Sequence, residues 1–132
     1  MNNINNKSAN RSIGKLGEQL TCDYLESKGY CIFQRNFHTR YGELDIIATN
    51  PQYIAFVEVK TRKFNTAIQP CLSVNKSKRD KIMRTAYLFL KKYELKLQPR
   101  FDVCEVYLIN NHLHHINYIE NAFIQEGDYA NF

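Results

Sequence analysis

An aspartate inside an apolar run, followed thirteen residues later by a glutamate and a lysine two apart, is a pattern that can hold a hard cation. The aspartate is Asp45, in Leu44-Asp45-Ile46-Ile47-Ala48. A carboxylate in such surroundings is costly unless a metal ion or another cation pairs with it. The second segment, Ile54-Ala55-Phe56-Val57-Glu58-Val59-Lys60-Thr61-Arg62, reads as a strand. Strand side chains alternate between faces, so Ala55, Val57 and Val59 share one face, and Ile54, Phe56, Glu58, Lys60 and Arg62 share the other. That second face begins apolar and turns charged at its C-terminal end. If the two strands pair, Asp45 and Glu58 converge with Lys60 beside them. Oxygen ligands of this kind suit Mg²⁺, which keeps waters for substrate phosphates. A metal-bound water, or one aligned by Lys60, could then attack a phosphodiester. Each feature alone has a plainer reading: Glu-x-Lys is commonly a solvated pair, and Asp45 could be a strand-end residue held by backbone groups. The combination is more specific than its parts.

The elements that must position these residues follow from periodicity and punctuation. A first helix is expected from about Ile13 to Lys28, stopping at Gly29, with Ile13, Leu16, Leu20 and Tyr24 on one stripe. Gly14, Glu18, Thr21 and Leu25 flank that stripe, which puts Glu18 on the rim of the buried side. Strands are expected over Tyr30 to Asn36, Leu44 to Ala48 and Tyr53 to Arg62, with turns at Arg40 to Glu43 and at Asn50-Pro51. The last two strands are close enough to form a hairpin. Lys63 to Val74 reads as a loop. A second helix follows from about Asn75 to Glu94, with Ile82, Met83, Ala86, Tyr87, Leu90 and Tyr93 in helical period. Strands over Phe101 to Ile109 and His114 to Ile119 complete an α/β or α+β domain around a mixed sheet. Residues 1–12 are polar and Asn-rich and read as a flexible tail, which leaves 13–132 as a single domain.

Composition restricts the partners. The chain has 132 residues, a net charge of +5 and a pI of about 9.0. A basic domain of this size attracts polyanions, nucleic acid first among them. The start of the second helix concentrates that charge, with Lys76, Lys78, Arg79, Lys81 and Arg84 opposed only by Asp80, and with Arg62 and Lys63 just before it. Such a cluster at a helix N-terminus suits phosphate contacts, although residue by residue an ordinary solvated face is an equal reading. Cys22, Cys31, Cys71 and Cys104 form no metal-spaced pair and read as small buried residues in a reducing compartment. His112, His114 and His115 read as surface histidines of a strand or hairpin. No apolar run reaches membrane-spanning length and no signal peptide is indicated, so a soluble, cytoplasmic protein is expected.

Two segments, Gly42-Glu43-Leu44-Asp45-Ile46-Ile47-Ala48 and Phe56-Val57-Glu58-Val59-Lys60-Thr61-Arg62, resemble the YraN-like family of uncharacterised bacterial proteins. Gly14-Lys15-Leu16-Gly17-Glu18, Arg100-Phe101-Asp102-Val103 and Glu120-Asn121-Ala122-Phe123 extend the resemblance over nearly the whole chain after Ser12. That family is similar to archaeal Holliday-junction resolvases and to the wider PD-(D/E)xK nucleases. The resemblance implies a restriction-endonuclease-like α/β fold with a central mixed sheet flanked by helices. It also implies a nuclease site in which Asp45 and Glu58 bind Mg²⁺ or Mn²⁺, with the Val59 carbonyl as a further ligand. Lys60 would position the attacking water, and Glu18 matches the helix carboxylate that completes resolvase-like sites. DNA, branched or repair-related, is the implied substrate, and the resemblance points to pairing of two copies as a homodimer.

Three readings follow. The first is a metal-dependent nuclease resting on Asp45, Glu58 and Lys60. The second is a non-catalytic nucleic-acid-binding module that retains the nuclease fold. The third is an interaction protein whose acidic residues are merely paired to Lys60 and Arg62. Asp102, another carboxylate in an apolar run, reads as a structural residue paired to a nearby arginine, and Glu43 as lying outside the metal shell.

Overall fold

The structure, a computed structural model, describes residues 3–64 and 75–123. Its elements run α1 (Asn3–Ser27), β1 (Cys31–Thr39), β2 (Gly42–Thr49), β3 (Tyr53–Lys63), α2 (Lys76–Tyr93), β4 (Gln98–Ile109) and β5 (His112–Ile119). The expected order of helix, three strands, helix and two strands is present. The strands form one five-stranded sheet in sequence order, β1 to β5. All neighbours are antiparallel except β3 and β4, which are parallel. A parallel pair needs a crossover, and α2 supplies it. The expected loop from Lys63 to Val74 lies almost entirely outside the described residues, with Lys63 itself closing β3.

The two helices cover opposite faces of the sheet. Ile46, Ala48, Ala55, Val57, Cys104 and Val106 cluster with Cys22 and Leu25 of α1. Ile47, Ile54, Phe56, Phe101 and Val103 cluster with Ile82, Met83, Ala86 and Phe89 of α2. The alternation read along β3 therefore sends Ala55 and Val57 toward α1 and Ile54 and Phe56 toward α2. Two layers of helix around a mixed sheet make this a restriction-endonuclease-like α/β fold.

Local chemistry sets the boundaries. Asn75 caps α2 by accepting the Lys78 N–H at 2.9 Å. Glu94 closes the helix in the left-handed region, its N–H bonding the Leu90 carbonyl at 2.9 Å. Gly29, at φ +90°, turns the chain out of α1 where the sequence placed the stop. Asn110 and Asn111 both take positive φ, as a two-residue turn between β4 and β5 requires. Among the described residues no helix is long and apolar enough to cross a membrane.

Four expectations are corrected. Helix α1 begins at Asn3, not Ile13, so residues expected in a tail continue the helix. Ser8 to Ser12 are exposed, so periodicity carried no sign of that extension. The buried line of α1 is Gly17, Thr21 and Leu25 with Cys22, while Ile13, Leu16, Leu20 and Tyr24 are half-buried beside it. On α2, Phe89 is fully buried and Tyr93 is largely exposed. Cys22 and Cys104 are buried as expected, but Cys31 is exposed; Cys71 lies outside the described residues.

Candidate active site

The sheet forks at the residues singled out by spacing. Strands β2 and β3 pair through Thr49–Ile54, Ala48–Ala55, Ile47–Phe56 and Ile46–Val57, and the ladder ends there. The next positions outward are Asp45 and Glu58. Beyond them β2 stays with β1, through Leu44–Phe37 and Glu43–His38, while β3 stays with β4. Leu44 joins the α2-side cluster and Ile46 the α1-side cluster, so the face alternation of β2 breaks across Asp45. The Asp45 side chain takes up a backbone donor in the gap: the Val59 N–H donates to its Oδ2 at 2.8 Å.

The centre is short of positive charge. Burial, then the nearby Glu58 charge, push the Asp45 carboxyl up to about 7, against the lowering effect of the Val59 N–H; Glu18 and Glu43 push it further up. Glu58 is only 9% exposed, and its Oε1 meets Lys78 Nζ at 2.5 Å. For Lys78, burial opposes the charged form, but the bond to Glu58 and the charges of Glu58, Asp45 and Glu43 outweigh it and raise its pKa. Burial lowers the pKa of Lys60, the Lys78 and Arg62 charges lower it further, and Glu58 and Glu105 oppose them. Two carboxylates thus stand at the fork, one matched by a lysine and the other, among the described residues, held by the Val59 N–H. A cation fits that deficit, with Asp45, Glu58 and the Val59 carbonyl as the oxygens that would hold it.

Glu18 approaches from the opposite face. A Cβ at Gly17 would lie 1.8 Å from Thr61 Oγ1, so α1 crosses β3 at a separation only glycine permits. That crossing brings Glu18 near enough for its charge to act on Asp45. Among the described residues, however, no three His, Cys, Asp or Glu side chains gather as a metal-binding group, so the structure does not bring Glu18 together with Asp45 and Glu58 as a set of three ligands.

The basic residues divide. Lys63 and Lys76 are exposed at the ends of β3 and α2. Lys78, expected among the nucleic-acid contacts, is drawn into the centre by Glu58. Arg62 turns to Glu105, Nε to Oε2 at 3.7 Å. Arg79 is half-buried, and its Nε makes no hydrogen bond among the described residues. Glu43 pairs with His38 at 3.4 Å, outside the carboxylate pair.

Sequence reasoning passed over Glu105. It is 1% exposed, stands in register beside Lys60, and accepts from Asn117 Nδ2 at 2.9 Å and the Tyr107 hydroxyl at 3.1 Å. The signal that exposed Asp45, a carboxylate in an apolar run, was present in Val103-Cys104-Glu105-Val106 as well. Asp102 is structural, as expected: its carboxylate takes three bonds from Arg100 at 2.9–3.1 Å, one from the Tyr118 hydroxyl at 2.5 Å and one from the Asn121 N–H at 3.1 Å. The histidines lie on β5, where His114 stacks on Phe64 and His115 on Tyr107.

A profile of the uncharacterised protein family UPF0102 matches residues 17–106, a span that takes in Gly17, the fork and Glu105. A UPF0102 protein of Clostridium acetobutylicum is 46% identical over 116 residues, covering 86% of this chain and 95% of the relative. UPF0102 proteins of Clostridium botulinum and Alkaliphilus metalliredigens are each 42% identical, over 117 and 114 residues, covering 86% of this chain and 95% and 98% of theirs. With this extent of agreement, the chain belongs to the uncharacterised protein family UPF0102, the YraN family that its motifs resemble.

Proposed function

We propose that the protein is a metal-dependent nuclease that hydrolyses phosphodiester bonds in DNA, with branched or repair intermediates as its substrates. The observation that carries this reading is the half-buried Asp45 next to the buried Glu58, with the Asp45 carboxyl pushed up to about 7 at the fork between β2 and β3. A folded protein keeps Asp45 next to the Glu58 charge at a cost in stability, and a carboxylate perturbed in this way points to function. Mg²⁺ or Mn²⁺ held by Asp45, Glu58 and the Val59 carbonyl would supply charge neutralisation and water activation.

The chain's own residues do the rest. Lys60 stands on the same strand face as Glu58, where its ammonium can hold a water or a phosphate oxygen by hydrogen bonding. Lys78 keeps Glu58 oriented and balances its charge until substrate arrives. Glu18 adds negative charge from the α1 side, which strengthens the attraction for a cation.

The test is cleavage of linear, branched and single-stranded oligonucleotides with Mg²⁺ or Mn²⁺. Turnover is expected in the wild type and absent in Asp45→Ala and Lys60→Ala. Failure to cut any of these with either metal sinks the reading. The 2.5 Å Lys78–Glu58 pair favours a second reading, a binding module whose acidic residues carry an internal counter-ion. A mobility shift that persists in Asp45→Ala, with no turnover in the wild type, would support that reading.

A further inference from the structure

We propose that the cleft between the β1–β2 turn and the first half of α2 is a second subsite, which takes the sugar-phosphate backbone of a polynucleotide strand beside the carboxylate pair. The cleft has a volume of about 340 Å³ and is lined by Arg40, Tyr41, Ser77, Asp80, Lys81 and Arg84. Arg40, Lys81 and Arg84 face one carboxylate, Asp80, so the cleft is cationic. Among the described residues none of those three cations makes an ion pair.

The guanidinium groups are arranged around an aromatic ring. Arg40 lies over the Tyr41 ring at 4.8 Å and donates from Nη2 to the Tyr41 hydroxyl at 2.7 Å. Arg84 lies 5.8 Å from the same ring centre. Guanidinium groups stacked on tyrosine keep outward N–H donors for an anion, and two such donors can bridge two oxygens of a phosphate.

The walls of the cleft are tied together. Thr39 Oγ1 accepts the Tyr41 N–H at 3.1 Å and lies 3.4 Å from Thr85 Oγ1, which is bonded to the Lys81 carbonyl at 2.7 Å. A Cβ at Gly42 would come within 3.6 Å of Lys81 Cβ, so the turn rests directly on the helix. The subsite is thus organised before a ligand arrives, which lowers the entropy lost on binding.

Its position selects the ligand. The turn continues through Glu43 to Asp45, and Lys81 follows Lys78 by one helical turn, so the cleft adjoins the fork. The choice of a polynucleotide rests on the nuclease reading. One acid among three cations suits singly charged phosphodiesters spaced along a strand better than a compact polyphosphate. Tyr41 lines the cleft with an aromatic ring, an apolar surface of the kind that nucleic-acid grooves carry among their cations.

The test is fluorescence anisotropy of labelled oligonucleotides with the full chain in EDTA, across a salt series. Arg40→Gln, Lys81→Gln and Arg84→Gln alter exposed side chains; Lys91→Gln/Lys92→Gln, at the far end of α2, is the charge control. Each cleft variant is expected to weaken binding about five- to tenfold and to flatten the slope of log K against log salt by about 1, with the control near wild type. Wild-type affinity and slope in the cleft variants, an equal loss in the control, or a wild type that binds no oligonucleotide would each overturn the proposal. So would competition by polyglutamate as effective as that by unlabelled DNA. Because the assay contains no metal, binding that depends on the cleft, alongside absent cleavage with Mn²⁺, would sink the nuclease reading and leave the subsite standing.

Discussion

Asp45 links charge to stability in a direction opposite to that of a salt-bridged aspartate. Its folded pKa, about 7, lies above the ordinary aspartate value of 3.8. Between those limits the folded protein holds more protons than the unfolded chain, so stability falls as pH rises from about 4 to 7, and the full penalty persists above 7. In metal-free protein, Asp45→Asn is therefore expected to raise the melting temperature by several degrees at pH 8 and to change it little near pH 4. An amide oxygen can still accept the Val59 N–H, and calorimetry at the two pH values would decide; a lower melting temperature at pH 8 would refute the account. Mn²⁺ at about a hundred times its Kd should stabilise the wild type by about 2.7 kcal/mol at pH 8, with little effect on Asp45→Asn. Asp45 and Glu58 were legible because a carboxylate stands out in an apolar strand. The Lys78–Glu58 pair was not, because it depends on how α2 docks across β3, and neither segment encodes that alone.

At the scale of elements, two contacts fix the helices on the sheet. Gly17 sets how closely α1 crosses β3. Gly17→Ala would place a methyl group 1.8 Å from Thr61 Oγ1, so the helix must move, at a cost of about 1–3 kcal/mol typical of overpacking. Thr61→Gly should recover part of that loss in the double mutant, a coupling that denaturant melts of the cycle can read. On the other face Phe89 packs edge-on against Phe33, Phe37 and Phe56. Phe89→Ala is expected to cost about 3–5 kcal/mol, visible as a lower urea midpoint. The order and type of the elements followed from period and turn residues. The buried line within each helix did not: in α1 it runs through Gly17 and Thr21, small residues that a hydrophobic stripe undercounts, and Phe89 sits beside the stripe read for α2.

For the whole molecule, the sheet separates a structural polar network from the candidate site. Arg100 and Asp102 are buried at 4% and 0% exposure and joined by Tyr30, Tyr118 and the Asn121 N–H, on the α1 side of β4, the face opposite to the one that carries Glu58. Asp102→Ala would strand the Arg100 charge and should cost about 3–5 kcal/mol while leaving Mn²⁺ affinity at the carboxylate pair unchanged. Isothermal titration of the folded variant would separate those effects, and a large loss of metal affinity would argue against that division. The parallel β3–β4 pair has one more consequence, for synthesis of the chain. Helix α1 and strands β1 to β3 leave the ribosome first, carrying Glu18, Asp45 and Glu58 before Lys78 has been made. Until β4 arrives, β3 is an open edge, and the Glu58 carboxylate lacks its Lys78 partner. The first half of the nascent chain is thus an incomplete sheet with an uncompensated charge, and both defects are removed when the second half docks.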